Sequence, residues 1–314
     1  MPVRVSAVIV LFAVTSVIWS CSHASTAFLP IPDRLVVLTF DDGNKSDLAF
    51  VAPLLKQYEF GASFYVTEGL GYHNDVRKER YMRWAEVRRL HEMGFEIGNH
   101  TGDHPNMTTL PKAQIRENLE LIERRCVEHD IPFPQTFVYP GFHHSLPVVE
   151  VLAEKGYTFA RRGIRPEYLD RGHGERGRAY DPQVDHPLLI PTTGYVGTYW
   201  QFEDLVWTVD QAKNGKIAVL VYHGVPGLEH PWVSAEPEHF VRDMAYLKDQ
   251  NCTVIAMRDL RKYVDSKKGP ISPYEPISFF EKRANSERQV RTTSVPHQCA
   301  RRVIPDVKNK IVGK

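Results

Sequence analysis

The adjacent carboxylates of Asp41 and Asp42 stand at a position that packing alone does not explain. They follow a run of apolar and β-branched residues at 35–40, which predicts a buried strand, and Gly43 supplies the turn that ends it. Two charges at a buried strand end are costly unless a cation or hydrogen bonds offset their desolvation. The pair is therefore a candidate cation site, although Asp-Asp before glycine on its own is more often a turn or helix cap.

Two histidines follow a second strand-like run, at residues 95–98. His100 and His104 stand four residues apart. Two imidazoles and one carboxylate from the first segment can bind a divalent metal on one side and leave open positions on the other. The second carboxylate would then be free to act as a general base on water. This histidine spacing also arises by accident on surface helices, but the two segments together favour a metal-assisted hydrolase.

The elements that must position these groups alternate between strand-like and helix-like patterns. The strand-like stretches lie at residues 35–40, 62–67, 95–99, 136–139, 157–160, 188–191, 217–222 and 253–257. This alternation predicts an α/β fold with a mainly parallel sheet. Seven to eight strands favour a closed (β/α) barrel, with an open doubly wound sheet as the alternative. The candidate groups all follow strands, as they do at the C-terminal face of barrel enzymes.

Composition excludes few functions. A chain of 314 residues, 42% hydrophobic and 25% charged, is ordinary for a globular protein of one large or two medium domains. Its net charge of +1 selects no class of partner, and we predict no nucleic-acid partner. Four cysteines are too few for a disulfide framework in a chain of this length.

The N-terminal residues 1–27 resemble a secretory signal. Arg4 precedes an apolar stretch that is too short for a membrane span and is followed by small residues suited to cleavage. We therefore expect an exported protein, whether periplasmic, cell-envelope or extracellular. Cys21 directly follows the apolar stretch and raises a lipid anchor as an alternative, although Trp19 stands where that processing favours a small residue.

Two further regions depart from the alternating pattern. Residues 161–186 contain four glycines and several arginines, which predicts a long polar loop of the kind that is often functional. Residues 266–314 hold 11 Lys/Arg against 4 Asp/Glu and lack a sustained apolar period. We expect this segment to be a basic, disordered tail, which leaves residues 28–265 as the catalytic domain.

Three segments resemble motifs of the polysaccharide deacetylase family, also called carbohydrate esterase family four, which includes chitooligosaccharide and peptidoglycan N-acetylglucosamine deacetylases. They are Thr-Phe-Asp-Asp-Gly at 39–43, His-Thr-Gly-Asp-His at 100–104 and Val-Leu-Val-Tyr-His at 219–223. The resemblance spans about residues 35–262. It implies a distorted barrel and a divalent metal, zinc ahead of cobalt or another ion.

The resemblance also implies a role for each matching residue. Asp42, His100 and His104 would be the metal ligands, Asp41 the general base and His223 the general acid. The family's third motif, which lies between the second segment and the last, corresponds to residues 136–142. Its residues Pro140, Gly141 and Phe142 would contact the substrate, and a backbone N–H near Gly141 and Phe142 would help to stabilise the oxyanion. The implied substrate is an acetylated glycan.

Two motifs depart from the family pattern. Many members have an arginine before Pro-Tyr in the third motif, where it orients the base, but residues 136–142 contain none. The aspartate of the fourth motif, which tunes the acid histidine, is also absent, and Asp181, Asp185 and Asp204 are the candidates to replace it. Further side chains in the expected site loops are candidates for substrate contact: His143, His144, His186, His230, Trp200, Trp207 and Trp232.

Four functions remain in competition at this point. The first is a secreted metal-dependent enzyme that removes acetyl groups from the nitrogen or oxygen of a polysaccharide. The second is hydrolysis of a small C–N bond, as in a cyclic amide or formamide, on the same fold. The third is a carbohydrate-binding protein without activity. The fourth is iron(II)-dependent oxygenation, which also uses two histidines and a carboxylate, although a second adjacent carboxylate fits hydrolysis better.

Overall fold

The structure is a computed structural model that describes residues 28–70, 79–168 and 175–293. The predicted signal, with Cys21, lies outside the described residues. Within them, no helix is both long and apolar enough to cross a membrane.

Within the described residues, nine strands form one mixed, mostly parallel sheet. Their bounds are β1 Leu35–Phe40, β2 Ser63–Val66, β3 Glu96–Asn99, β4 Thr136–Val138, β5 Phe159–Arg161, β6 Glu175–Arg176, β7 Gly194–Tyr195, β8 Ala218–Tyr222 and β9 Thr253–Ile255. The order is β5-β4-β3-β2-β1-β8-β7-β6, with β9 also paired to β1, and β6–β7 is the antiparallel pair.

Seven α-helices in the described part of the chain flank the sheet. They are α1 Ala52–Tyr58, α2 Trp84–Glu92, α3 Lys112–Glu128, α4 Leu146–Glu154, α5 Phe202–Gln211, α6 Pro237–Asp249 and α7 Glu275–Thr293. The helices that follow β3 and β4 bury an apolar side against the sheet, as Ile115, Leu119 and Val148 show. This burial provides most of the stabilisation of each helix.

Strand β1 is the centre of the sheet and fixes the position of the site. All six of its residues are buried, and it pairs in parallel with β2, β8 and β9. Phe40 lies opposite both Phe64 and Tyr222, and the three rings stack in a shared core. Because this register aligns the carboxyl ends of β1 and β8, the residues that follow them are brought to one edge.

Residues 190–196 form backbone hydrogen bonds to the region of β5 on one side and to β8 on the other. These bonds curl the sheet into a distorted barrel. Ile190 exchanges backbone hydrogen bonds with Ala160 and Arg162 beside β5, at 2.9 Å each. Farther along, the N–H of Thr193 donates to Val219 at 2.8 Å. The predicted α/β barrel is therefore confirmed. The strand expected at 188–191 is instead a 3-10 turn at Pro187–Leu189 followed by the bridge at Ile190, and the short β6 and β7 were not predicted.

The segment after residue 265 differs from the expected disordered tail. Residues Glu275–Thr293 form α7, and Ile277 at its start is buried in the core that contains Ile115 and Leu119. The Tyr274 hydroxyl lies 2.9 Å from Nδ1 of His144. The expectation of disorder is therefore wrong for residues 275–293, and residues 294–314 lie outside the described residues.

Candidate active site

The turn after β1 presents two buried carboxylates side by side. Asp41 and Asp42 are only 1% and 4% exposed, and Asp42 adopts a φ of 76°. A left-handed backbone at a residue other than glycine is costly and clusters at functional sites. The Asn44 side chain donates to the Asp41 carbonyl at 3.0 Å, and the Asp41 N–H donates to the Tyr222 carbonyl at 3.0 Å. These bonds hold the turn against the end of β8.

His100 and His104 reach the same point from the turn after β3, which is not helical. Thr101 and His104 have φ values of 69° and 52°, and the Thr101 hydroxyl accepts the His104 N–H at 3.0 Å. Nδ1 of His100 lies 2.9 Å from the Val138 carbonyl, so this ring nitrogen donates there and Nε2 is left for the site. Nε2 lies 3.4 Å from Asp42 Oδ1 for His100 and 3.7 Å for His104.

The residues present fit a divalent metal. One ligand atom each from Asp42, His100 and His104 lies within 4.8 Å of the others. Asp42 Oδ1 is buried and has no hydrogen-bond partner among the described residues, which is the state expected of a carboxylate oxygen that serves a cation. Two imidazole nitrogens and one carboxylate oxygen suit zinc, and they suit cobalt or iron as well.

The pKa shifts of Asp42 and His104 also favour metal binding by these residues. Burial would raise the pKa of Asp42, but the facing imidazoles of His100, His230 and His223 outweigh it and hold this pKa well below its usual value. Burial, together with the charge of His100, lowers the pKa of His104 to about 4. A carboxylate and a neutral imidazole are the forms that bind metals.

Asp41 is held by an arginine that the sequence analysis did not single out. Nη2 of Arg161 donates to Asp41 Oδ1 at 2.7 Å and to Oδ2 at 2.5 Å, and the Arg161 side chain is fully buried. Arg161 ends β5, where it lies opposite Val138 of β4. The base-holding arginine expected within residues 136–142 is thus supplied by the neighbouring strand. An Arg-Arg pair directly after the predicted strand at 157–160 was the signal that could have found it.

His223 follows β8 and faces the same cavity, but it forms no ion pair with a carboxylate of the described residues. Its Nδ1 is buried and accepts or donates no hydrogen bond within the described part of the chain. Burial lowers the pKa of His223, although the charges of Asp42 and Asp41 oppose this. The protonated ring is therefore a stronger acid than an ordinary histidine.

The three aspartates considered as partners of His223 bind other groups instead. Asp185 pairs with Arg178, and Asp204 accepts from Arg176 at 2.6 Å. Asp181 accepts the Gln183 N–H at 3.1 Å. The expectation that one of them tunes the acid histidine is wrong, because each is engaged with a partner elsewhere.

A cavity of about 250 Å³ joins these groups. Its lining comprises Asp41, Asp42, His100, His104, Gly141, Phe142, Tyr195, His223, His230, Trp232 and Val233. Pro140 is buried and does not line the cavity, in contrast to Gly141 and Phe142. The Phe142 N–H donates to the Tyr139 carbonyl at 2.9 Å, so it is not available to stabilise an oxyanion.

The other histidines and tryptophans divide clearly between this cavity and the rest of the molecule. His230 and Trp232 line the cavity. His144 packs between Tyr139 and Tyr274, and Nδ1 of His186 caps a turn by accepting from Leu188. Trp200 is buried in the main core, Trp207 lies under Arg176, and His143 is not part of the cavity lining.

Comparison with known proteins connects this site to a family. Residues 30–160 match the model of the polysaccharide deacetylase family. The match contains both aspartates and both histidines of the candidate metal site and ends one residue before Arg161.

Two curated relatives show the extent of the similarity. An uncharacterized 30.6 kDa protein of Geobacillus stearothermophilus is 28% identical over 201 residues, which are 62% of this chain and 56% of that protein. A peptidoglycan-N-acetylglucosamine deacetylase of Bacillus cereus is 28% identical over 130 residues, which are 41% of this chain and 56% of that protein. The aligned part of the chain thus spans little more than half the length of either relative.

The fold has a counterpart among solved structures. The chitin deacetylase from the fungal pathogen Colletotrichum lindemuthianum superposes with a TM-score of 0.51 at 19% identity, over 76% of this chain and 91% of that one. At this identity the similarity concerns the fold. The family match over residues 30–160, the similarity to a deacetylase relative and the shared barrel fold all support assignment to the polysaccharide deacetylase family.

Proposed function

We propose that the protein is a metal-dependent deacetylase that removes acetyl groups from an N-acetylated, or O-acetylated, polysaccharide. The observation that carries the proposal is the convergence of Asp41, Asp42, His100, His104 and His223 on one cavity. A binding protein has no need for both a base and an acid beside a metal site, so this arrangement favours an enzyme.

Asp42, His100 and His104 are the residues that would hold the metal. When bound there, a divalent ion supplies a Lewis acid for the acetyl carbonyl and lowers the pKa of water. Zinc is the ion that we favour, with cobalt or another divalent ion as alternatives, because a site of two imidazoles and one carboxylate with open positions is typical of catalytic zinc.

Asp41 and His223 divide the proton transfers between them. Asp41 accepts the proton of the attacking water, and Arg161 contacts both of its oxygens, so that the carboxylate keeps one orientation. His223 donates a proton to the departing nitrogen or oxygen. Its lowered pKa suits this step, since a stronger acid protonates a poor leaving group more readily.

Export is a separate proposal that rests on the sequence pattern of residues 1–27. Removal of this segment on secretion would give a mature N-terminus that mass spectrometry can read. Lipid attachment at Cys21 would instead be abolished by Cys21→Ser, and loss of radiolabelled fatty acid from that variant distinguishes the two routes.

Acetate release tests the proposed reaction. The purified protein would be incubated with chitooligosaccharides, peptidoglycan and acetylxylan after chelation, and again after zinc or cobalt is restored. We expect metal-dependent acetate release from at least one glycan. Bound metal without acetate from any glycan would favour hydrolysis of a small amide, and glycan binding without turnover would favour a carbohydrate-binding protein. Oxygen consumption with bound iron would identify an oxygenase.

A further inference from the structure

Trp232 is an exposed aromatic side chain at the mouth of the catalytic cavity. It is 47% exposed, and among the exposed large apolar side chains of the described residues it is the one that lines this cavity. A single exposed apolar residue on a protein surface is ordinary. Trp232 differs from such residues because it lines the same cavity as Asp41, Asp42 and His223.

The backbone around Trp232 is held firmly. It lies in a 3-10 turn at Pro231–Val233, where the Val233 N–H donates to the His230 carbonyl at 3.0 Å. The side chain of Val233 is buried in an apolar cluster that includes Tyr195. The Trp232 carbonyl accepts the Thr198 N–H at 3.2 Å. The exposed indole is therefore not the tip of a loose loop.

The rest of the connection after β8 is equally well anchored. The Val225 N–H donates to the Ser46 hydroxyl at 2.9 Å, and the Gly227 N–H donates to the Ser234 hydroxyl at 2.8 Å. The Arg80–Glu229 ion pair fixes the outer part of the connection. Together these contacts fix the approach of Trp232 to the cavity before any ligand arrives, which lowers the entropic cost of binding.

His230 sets the distance between Trp232 and the metal site. Its ring centroid lies 5.1 Å from that of Trp232, and its Nδ1 lies 3.7 Å from Asp42 Oδ2. One imidazole ring therefore separates the indole from a metal ligand. An acetyl group at the metal would place the sugar ring that carries it against the indole.

The size of the cavity supports the same arrangement. Its volume of about 250 Å³ lies below the usual range for pockets that enclose a whole ligand, about 300–1,000 Å³. The cavity would thus enclose the acetyl group and its linkage, while the remainder of the substrate stays at the mouth. Pyranose rings present faces of C–H groups, which pack on aromatic faces such as that of an indole.

We propose that Trp232 is the platform on which the acetyl-bearing sugar ring stacks, so that the site selects glycans over small amides. This inference rests on the proposed function, because it names the part of the substrate that Trp232 holds. It assigns to the connection after β8 a substrate-positioning role that the sequence motifs do not include.

Equilibrium binding tests the inference separately from catalysis. The full chain carrying Asp41→Asn, with metal bound, would be titrated calorimetrically with the glycan that releases most acetate, or with N-acetylchitopentaose if none does. Adding Trp232→Ala should weaken binding about ten-fold, the effect of losing one aromatic contact worth roughly 1.4 kcal/mol. Trp232→Phe should restore most of the affinity, because it keeps an aromatic face.

Trp207 provides the matched control. It is also a partly exposed tryptophan, but it lies on α5 under Arg176 and outside the cavity. Trp207→Ala should leave glycan affinity within two-fold of the parent. In the otherwise unmodified enzyme, Trp232→Ala should raise KM more than it lowers kcat.

The outcomes separate this inference from the proposed function. Equal affinity in the parent and in Trp232→Ala, or no glycan binding by the parent, overturns the role of Trp232. Binding that depends on Trp232 in a protein that releases no acetate supports the platform and refutes the deacetylase. Acetate release without any effect of Trp232→Ala leaves the deacetylase standing and refutes the platform.

Discussion

Replacing Arg161 by methionine should separate the stability of the site from its chemistry. The change keeps an unbranched side chain but removes the cation that contacts both oxygens of Asp41 at 2.7 and 2.5 Å. Both partners are essentially inaccessible to solvent. We expect loss of turnover because the base is no longer fixed or balanced by a positive charge.

The magnitude follows from the burial of the pair. Removing one partner of a buried ion pair leaves an uncompensated charge, which costs about 3–5 kcal/mol and for a domain of this size lowers Tm by roughly 10 °C. Loss of an effective general base lowers kcat by about 10²- to 10⁴-fold. Metal content should remain near that of the wild type, because within the described residues Arg161 pairs with Asp41 and Thr192 rather than with a candidate metal ligand.

Arg162 offers a closely matched control. It is the next residue, is equally buried, and pairs with a different carboxylate, Glu167, at 2.5 and 2.9 Å. Arg162→Met should destabilise the protein by a similar amount while the folded fraction keeps its kcat. The assay is acetate release at a temperature well below both Tm values, with calorimetric melting and metal analysis of the same samples.

A double variant strengthens the test. Asp41→Asn combined with Arg161→Met removes both charges, so part of the lost stability should return while turnover stays low. If Arg161→Met retains kcat within three-fold of the wild type, the role of Arg161 in holding the base is refuted. Equal losses of kcat in Arg161→Met and Arg162→Met would refute it as well, since the effect would then be one of folding.

Three further predictions concern the metal site, α7 and the response to pH. His104→Ala should lose metal and activity together by elemental analysis and acetate assay, whereas Asp41→Asn should keep the metal and lose turnover; metal loss in Asp41→Asn would mean that the two aspartates exchange roles. Ile277→Ala should lower the free energy of unfolding by about 2–5 kcal/mol in urea, because the side chain is buried, and an unchanged midpoint would show that α7 does not pack on the barrel. Burial would raise the pKa of Glu167, but Arg162 and Arg178 outweigh it and lower this pKa. Its ion pairs therefore stabilise the fold at neutral pH and lose their effect as pH falls through the carboxylate range, so the stability gap between wild type and Glu167→Gln should shrink from pH 7 to pH 3. A gap that is constant or widens on acidification would contradict this.

The parts of the site that were predictable are those written in short stretches of sequence. The apolar run before Asp41 and Asp42 predicts a buried strand, and two carboxylates at its end carry a desolvation cost. Both features can be recognised without knowledge of the fold. The same holds for His100 and His104, although they lie on a turn with positive φ at two residues rather than on a helix. The barrel itself followed from the alternation of strands and helices.

The parts that were missed depend on contacts between distant segments. Arg161 reaches Asp41 only because β5 pairs with β4 and the curled sheet brings its end back to β1. Asp185 was a reasonable candidate by type, but Arg178, seven residues earlier, engages it. Likewise, α7 has no sustained apolar period, and a few contacts such as that of Ile277 hold it against the barrel.

The most direct test of the central claim is a zinc titration of chelated protein with acetate release as the readout. We predict that activity on the preferred glycan rises to a plateau at one equivalent of zinc and that His104→Ala shows no such rise. Acetate release that persists in the chelated protein, or a fully folded protein that binds zinc at this site and releases no acetate from any acetylated glycan, would contradict the account.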